Sequence, residues 1–206
     1  MKSSYTIRKG HNIQLPNNPK EIINKVKLPS TCVLSPSDDF PNQKIKLLIS
    51  LEDDINTGDP LFCFKDNSDV LCTSPVTGKI IEVVYGNRRS IKHIIIKVSS
   101  VQKLRKFSIE KNSKKNDVIE LLMSSGLWAS IRQRPFSRIA NPKKLARDIF
   151  ISFMPTSPYS LNIDFFIKDY KEELQEGINK LSSLIGKNIN ISISPNTKCL
   201  DFYTAL

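Results

Sequence analysis

The stretch "CTSPVTGKIIEVVYGNRRSIKHIIIKV", Cys72 to Val98, decides how the first half of the chain folds. It opens on a fixed-φ proline, Pro75, and a turn glycine, Gly78. Two runs rich in Ile and Val follow, Lys79 to Val84 and His93 to Val98. Between them stands Gly86-Asn87-Arg88-Arg89. β-Branched runs bounded by Gly, Pro and Asn read as strands, so the stretch is a hairpin. Its tip is where a cofactor arm or a partner contact would sit.

Working outward, "KIKLLISL" (Lys44 to Leu51) and "PLFCF" (Pro60 to Phe64) have the same β character. Turn signals separate them at Asp53-Asp54 and Thr57-Gly58-Asp59. Residues 1–100 are therefore expected to form a compact β-rich domain. Glycine is scarce, with only 7 in the chain. Gly58, Gly78 and Gly86 are assigned to places that need a positive φ or a close approach of two chains.

Beyond residue 100 the period changes. Residues 101–146 read as a basic, helical connector. Its densest part, "KLRKFSIEKNSKK" (Lys103 to Lys115), has no RNP signature, no helix-turn-helix pattern and little aromatic interleaving. It reads as a solvated run. Asp117 is expected to cap a helix, with Glu120 completing a capping box. Val118, Ile119, Leu121 and Leu122 supply the apolar face, and Gly126 the stop. Leu127 to Ile131 reads as a second short helical piece, and Pro135 breaks any helix there.

Residues 147–206 change character again. A strand over Asp148 to Phe153 precedes the loop "MPTSPYSLN". Asp169 is expected to cap a helix running to about Ile185. Tyr170, Leu174, Ile178, Leu181 and Ile185 lie on one face of it. Gly186 ends that helix, and Asn188 to Ile193 is the next strand. This is a βαβ unit with a parallel sheet. Two strands are few for a stable domain, so either more strands come from elsewhere or the chain is shorter than the fold it belongs to. The overall class is α+β multidomain.

Composition narrows the chemistry. The chain has 206 residues, 39% hydrophobic and 25% charged, which suits a soluble globular protein. No apolar run approaches the roughly 18 residues that span a bilayer. Met1 to Tyr5 lead into no apolar signal core, so the expected compartment is the cytoplasm. Cys32, Cys63, Cys72 and Cys199 form no C-x-x-C pair, and His11 and His93 are the two histidines. The thiols read as buried and reduced rather than as metal ligands. The loop Met154 to Asn162 has no glycine, which argues against a dinucleotide site, and no P-loop is present. Asp53, Asp54 and Asp59 lack EF-hand spacing. No residue is assigned a catalytic, cofactor-binding or metal-binding role. The net charge of +11 leaves open a basic binding module for RNA or an anionic membrane.

The β half also resembles the half-motif of biotinyl/lipoyl-type barrel-sandwich domains. In carriers of that type a hairpin lysine is acylated. Here the tip offers Arg88 and Arg89, whose guanidinium groups stay protonated and do not acylate. Lys92 lies nearby, outside the carrier-type setting. A carrier modified at Lys92 is the remaining alternative of this kind.

Four ordered motifs resemble the NqrA family, which supplies one subunit type of the sodium-translocating NADH:quinone oxidoreductases. They are "IRKGHNIQL" (Ile7 to Leu15), "TSPVTGKIIEVVYGNRRSI" (Thr73 to Ile91), "SGLWASIRQRPFSRIANP" (Ser125 to Pro142) and "DIFISFMPTSPYS" (Asp148 to Ser160). Tyr85 stands where the family has arginine, and Pro155 where it has aspartate. The resemblance implies a peripheral subunit on the cytoplasmic face of the bacterial inner membrane. The complex it belongs to passes electrons from NADH to quinone and exports sodium. NADH, flavins, an iron–sulfur cluster and quinone are implied for the complex, and no covalent cofactor for this chain. Partners are the other subunits, membrane contact runs through them, and nucleic acid has no part. The resemblance also implies a longer protein, with a landmark beyond Leu206 and contact with quinone, and makes residues 147–206 the incomplete start of a Rossmann-like α/β domain. In this reading Arg88, Arg89, Trp128, Arg132, Arg134, Pro135 and Phe136 are the interface candidates. The Arg, Trp and Phe content of the later segment suits a packed contact.

Overall fold

The computed structural model describes residues 20–41, 43–110, 113–144, 146–154, 157, 159–194 and 197. The opening motif at Ile7 to Leu15, His11, Pro155 and Cys199 lie outside the described residues. The chain forms two compact units, Lys25–Ala146 and a second that takes in the described residues from Arg147 onward together with residues 20–24.

The first unit is built on two antiparallel sheets. Its elements are β1 (Thr31–Leu34), a single turn α1 (Pro36–Asp39), β2 (Ile45–Leu47), β3 (Asp54–Ile55), β4 (Pro60–Phe64), β5 (Asn67–Thr73), β6 (Gly78–Tyr85) and β7 (Ile91–Val98). One sheet has the order β1-β7-β6-β3 and the other β2-β4-β5. Leu61, Val70, Ile80, Ile94 and Ile96 are sealed from solvent and share one core cluster. Phe40, Phe62 and Phe64 meet edge to face, with Phe40 and Phe64 centroids 5.0 Å apart. This is the expected barrel-sandwich arrangement, although the sheets do not close into a barrel.

The opening hairpin is β6 and β7. Strict alternation from Ile80 would aim Glu82 into the core. A register shift between Ile80↔Ile96 and Glu82↔Ile95 inserts one extra residue, Ile81. Glu82 is thereby turned out and Val83 packs on the core. A second shift, between Val84↔His93 and Tyr85↔Ile91, makes Lys92 the extra residue of β7. It keeps both Ile91 and Ile94 inside. The two bulges reconcile an irregular apolar pattern with a single buried face.

Glycine roles separate on inspection. Gly58 has φ +92, as its turn requires. Gly78 is not in the left-handed region; a Cβ there would sit 2.2 Å from the Lys97 carbonyl oxygen. Close approach is its reason, not positive φ.

The connector expected over 101–146 lies in this same compact unit. Thr77 and Gln102 hold its start. The Gln102 side chain accepts from Thr77 N–H at 2.9 Å and donates to Ser99 O at 2.7 Å. The Thr77 hydroxyl donates to Lys103 O and accepts from Lys103 N–H, both at 2.8 Å. Arg105 N–H donates to Thr57 O at 2.8 Å, and the Arg105 guanidinium lies 5.4 Å from the Phe107 ring centroid. So the front of the basic run is fastened to the sheets.

Helix α2 (Lys115–Ser124) follows. Asp117 is its third residue, not its cap as the sequence led us to expect. The chain is already extended at Lys114, and the Asp117 carboxylate accepts the Lys114 N–H at 2.9 Å. It thus serves a free donor at the positive end of the helix. Gly126, at φ +83, ends the helix as expected, and a 3-10 turn covers Leu127–Ser130. A short hairpin of β8 (Arg132–Gln133) and β9 (Arg138–Ile139) completes the unit.

In the second unit β10 (Phe150–Phe153) pairs in parallel with β11 (Asn190–Ile193). Between them run α3 (Ile163–Ile167) and α4 (Lys171–Ile185). The parallel βαβ is as expected, while α3 and its Asn162 cap are additional. Ile178 and Leu184 are the buried residues of α4, and Tyr170 at its start is exposed. Gly186, at φ +67, terminates α4. Asp148 receives hydrogen bonds from Lys187 at 2.7 Å and Arg147 at 2.6 Å. These contacts hold its carboxyl below the usual range.

Candidate functional site

Two places gather the expected interface residues. The first is the β6–β7 tip. Gly86 N–H donates to Ser90 O at 2.8 Å, closing a short loop over Asn87 to Arg89. Arg88 and Arg89 both have left-handed backbone, at φ 57 and φ 56, and both side chains are exposed. Non-glycine residues rarely adopt that conformation, so the loop carries modest strain. Lys92 is exposed as well, but it is the bulged residue of the strand rather than part of the tip.

The second place is the segment after α2. Trp128 anchors it. The indole is only 7% exposed, belongs to the core cluster, and donates through Nε1 to Ala140 O at 2.7 Å. Ala140 N–H donates to Ile131 O at 2.9 Å. Trp128 therefore leaves the set of interface candidates, because its side chain is held in the unit's own core. It fixes the base of an arm that runs out to Phe136 and back.

The arm itself is open to solvent. Arg132, Arg134, Pro135 and Phe136 are all exposed, and Phe136 is 78% exposed at the turn. The Arg134–Pro135 peptide is cis. Arg132 stacks over the Phe40 ring at 5.4 Å, and Arg138 over the Phe136 ring at 5.7 Å. Such stacking orients a guanidinium while leaving its edge donors free. Arg138, Lys143 and Lys144 extend the basic side beyond the residues picked from sequence. Only the absence of acids marked them there: between Glu120 and Asp148 the chain has no Asp or Glu.

A broad groove separates this arm from α1 and the β4–β5 turn. Its far wall carries Asp38, Asp39, Asp66 and Asp69, with Lys65 beside them, all exposed, so acids outnumber bases there. The groove thus has one basic wall and one acidic wall. Among the described residues, no ion pair joins them.

Of the described thiols, Cys32 is half-buried, not buried as expected. Cys63 and Cys72 are buried, and burial first, then the Asp39 charge, pushes the Cys72 thiol up to about 12. A thiol held that high stays protonated and unreactive at neutral pH. His93 lies on the outer side of β7, with Nδ1 3.0 Å from Ser35 Oγ, and this pairing was not visible in sequence. Among the described residues no cluster of His, Cys, Asp or Glu is placed to hold a metal ion.

Comparison with known proteins gives two family matches. Residues 5–99 match the NqrA N-terminal barrel-sandwich hybrid domain, and residues 113–202 match the NqrA second alpha/beta domain. The second match begins before α2, although α2 and the arm pack with the sheets of the first unit. The chain is similar to the NqrA subunit of the Na(+)-translocating NADH-quinone reductase of Vibrio atlanticus, 27% identical over 90% of this chain and 42% of that protein. The protein of the same name in Aliivibrio salmonicida is 28% identical over the same shares. That of Tolumonas auensis is 26% identical over 93% of this chain and 44% of its own length. The chain therefore spans well under half the length of these relatives.

Proposed function

The chain belongs to the NqrA family, and on that premise we propose that it serves as a peripheral subunit of a sodium-translocating NADH:quinone reductase. In this role it works by contact rather than by chemistry of its own. The redox groups of the complex, flavins and an iron–sulfur cluster, reside on partner subunits, as do the sites where NADH is oxidised. The chain sits on the cytoplasmic face of the membrane and reaches the bilayer only through those partners. Among the described residues no helix is long and apolar enough to cross a membrane.

The observation that carries this reading is the succession of two NqrA domains, residues 5–99 and then 113–202, along one chain. The exposed arm supports it, since arginine beside an exposed aromatic is the composition of interface anchors. Arg88 and Arg89 at the hairpin tip are assigned a second, smaller contact. Reaction at Lys92 has no part in the proposal.

The test is recovery of the chain from the membranes of its own cells through an affinity tag, with the bound proteins identified by mass spectrometry. Recovery of the other reductase subunits in fixed ratio is expected. A chain recovered free of them from detergent-solubilised membranes would defeat the reading.

A further inference from the structure

We propose that the groove between the arm and the aspartate wall is a docking site for an acidic segment of a partner polypeptide. This rests on the subunit reading above and specifies what the arm recognises.

Three observations lead to it. The first is charge. Arg132, Arg134, Arg138, Lys143 and Lys144 occur in a stretch without a single acid, and none has an ion-pair partner among the described residues. A free monomer gains nothing from so many like charges on one short arm; they repel one another. An incoming carboxylate relieves that repulsion and accepts from oriented guanidinium edges.

The second is the anchor. Phe136 at 78% exposure is a large apolar side chain standing in water at the tip. Burying it against a partner removes apolar surface from solvent, and its stacked Arg138 is already in place to receive a carboxylate. The arm is also held firmly at its base by Trp128 and Ala140. Less ordering is then needed at the moment of binding.

The third is the opposite wall, which decides the class of partner. A nucleic acid carries a phosphate at every step, and an anionic membrane presents a continuous sheet of charge. Either would bring negative charge onto Asp38, Asp39, Asp66 and Asp69 as well as onto the arm. A polypeptide avoids this, because its acids are discrete and can face one side only. The aspartate wall then orients the segment, with acids toward the arm and basic or amide groups toward the wall.

The test uses the full chain and a fluorescent peptide of alternating Glu and Ala, read by anisotropy. The variants are R134E/K143E/K144E and F136A, whose side chains are exposed and make no hydrogen bond or ion pair in the fold. A control triple, K46E/K92E/K97E, changes the same net charge at exposed positions outside the groove. Saturable binding that weakens at least tenfold in the arm triple, and less than twofold in the control triple, is expected. F136A should weaken it severalfold. Matched melting curves certify that each variant is folded.

Absence of saturable binding overturns the proposal. So does equal loss in the control triple. Tighter arm-dependent binding of oligo-dT, or of vesicles containing phosphatidylglycerol, assigns the groove to another ligand class and also overturns it. Co-purification separates this proposal from the one it rests on. If reductase subunits are recovered with the unaltered chain and equally with the arm triple, docking at the groove fails and the subunit reading stands. If none are recovered with the unaltered chain, the subunit reading fails, while peptide binding still decides the groove.

Discussion

Replacing Gly78 by alanine adds one methyl group and should strongly destabilise the first unit. The added Cβ would lie 2.2 Å from Lys97 O, 2.9 Å from Ile96 Cγ2 and 3.0 Å from Lys97 C. Carbon contacts are comfortable at about 3.5 Å, so the strands must part by roughly 1 Å. The obstacle is backbone, which no rotamer change can clear. Separation breaks the pairing at Gly78↔Val98 and Lys79↔Lys97, beside the sealed Ile80 and Ile96. Overpacking costs about 1–3 kcal/mol, and each lost ladder hydrogen bond about 1 kcal/mol. The sum, about 3–5 kcal/mol, is a large part of the roughly 5–15 kcal/mol that holds a domain folded. For a unit of this size it lowers the melting temperature by roughly 10–20 °C. Trp128 is the only tryptophan and is buried in this unit, so its fluorescence reports the transition directly. Gly86→Ala is the control, because its nearest atom is the rotatable Ser90 Oγ at 2.9 Å. A Gly78→Ala melt superimposable on that of the unaltered chain would refute the close-approach argument.

Thr77→Val keeps the shape of the buried side chain and removes a hydroxyl that serves Lys103 O, Lys103 N–H and Thr57 N–H. It should cost about 2–3 kcal/mol, seen as a lower urea midpoint of Trp128 fluorescence. Gly177 lies inside α4 with nothing within 4 Å of an added Cβ, so Gly177→Ala should stabilise the second unit by about 0.5–1 kcal/mol. Far-UV circular dichroism of the thermal transition checks it. Burial raises the Cys72 pKa in the folded state to about 12 from 9.0. The folded protein therefore holds its proton where the unfolded chain releases it. This contribution is complete below pH 9 and declines between about 9 and 12. Urea titrations across that range should show it, and Cys72→Ser should flatten the decline. Native-state alkylation at neutral pH should spare both Cys63 and Cys72.

Local signals carried much of the architecture. Pro60 to Phe64 is a strand with the expected ends, because an apolar run with two phenylalanines sits between clear turn residues. Gly126 and Gly186 end their helices with left-handed φ, as their positions implied. The hairpin from Gly78 to Val98 was equally legible, but its two bulges were not. They exist to keep Glu82 and Lys92 out of a core that only the folded sheets define. β5 (Asn67–Thr73) escaped notice because its first half is polar and its burial comes from pairing with β4. The arm was visible as an arginine–proline–phenylalanine run. Its split into a buried anchor, Trp128, and an exposed tip, Phe136, depends on contacts across the fold. The aspartate wall was invisible for the same reason, since Asp38 and Asp39 come from α1, and Asp66 and Asp69 from the β4–β5 turn and the start of β5.

The proposed role has this chain contribute to sodium-coupled electron transfer through its contacts. Inverted membrane vesicles from cells lacking the chain, compared with vesicles from cells expressing it, test this most directly. With the chain restored, NADH oxidation stimulated by sodium and accompanied by sodium uptake should return. With the R134E/K143E/K144E arm variant it should fall well below the restored level. Sodium-stimulated NADH oxidation that is the same with and without the chain would contradict the account.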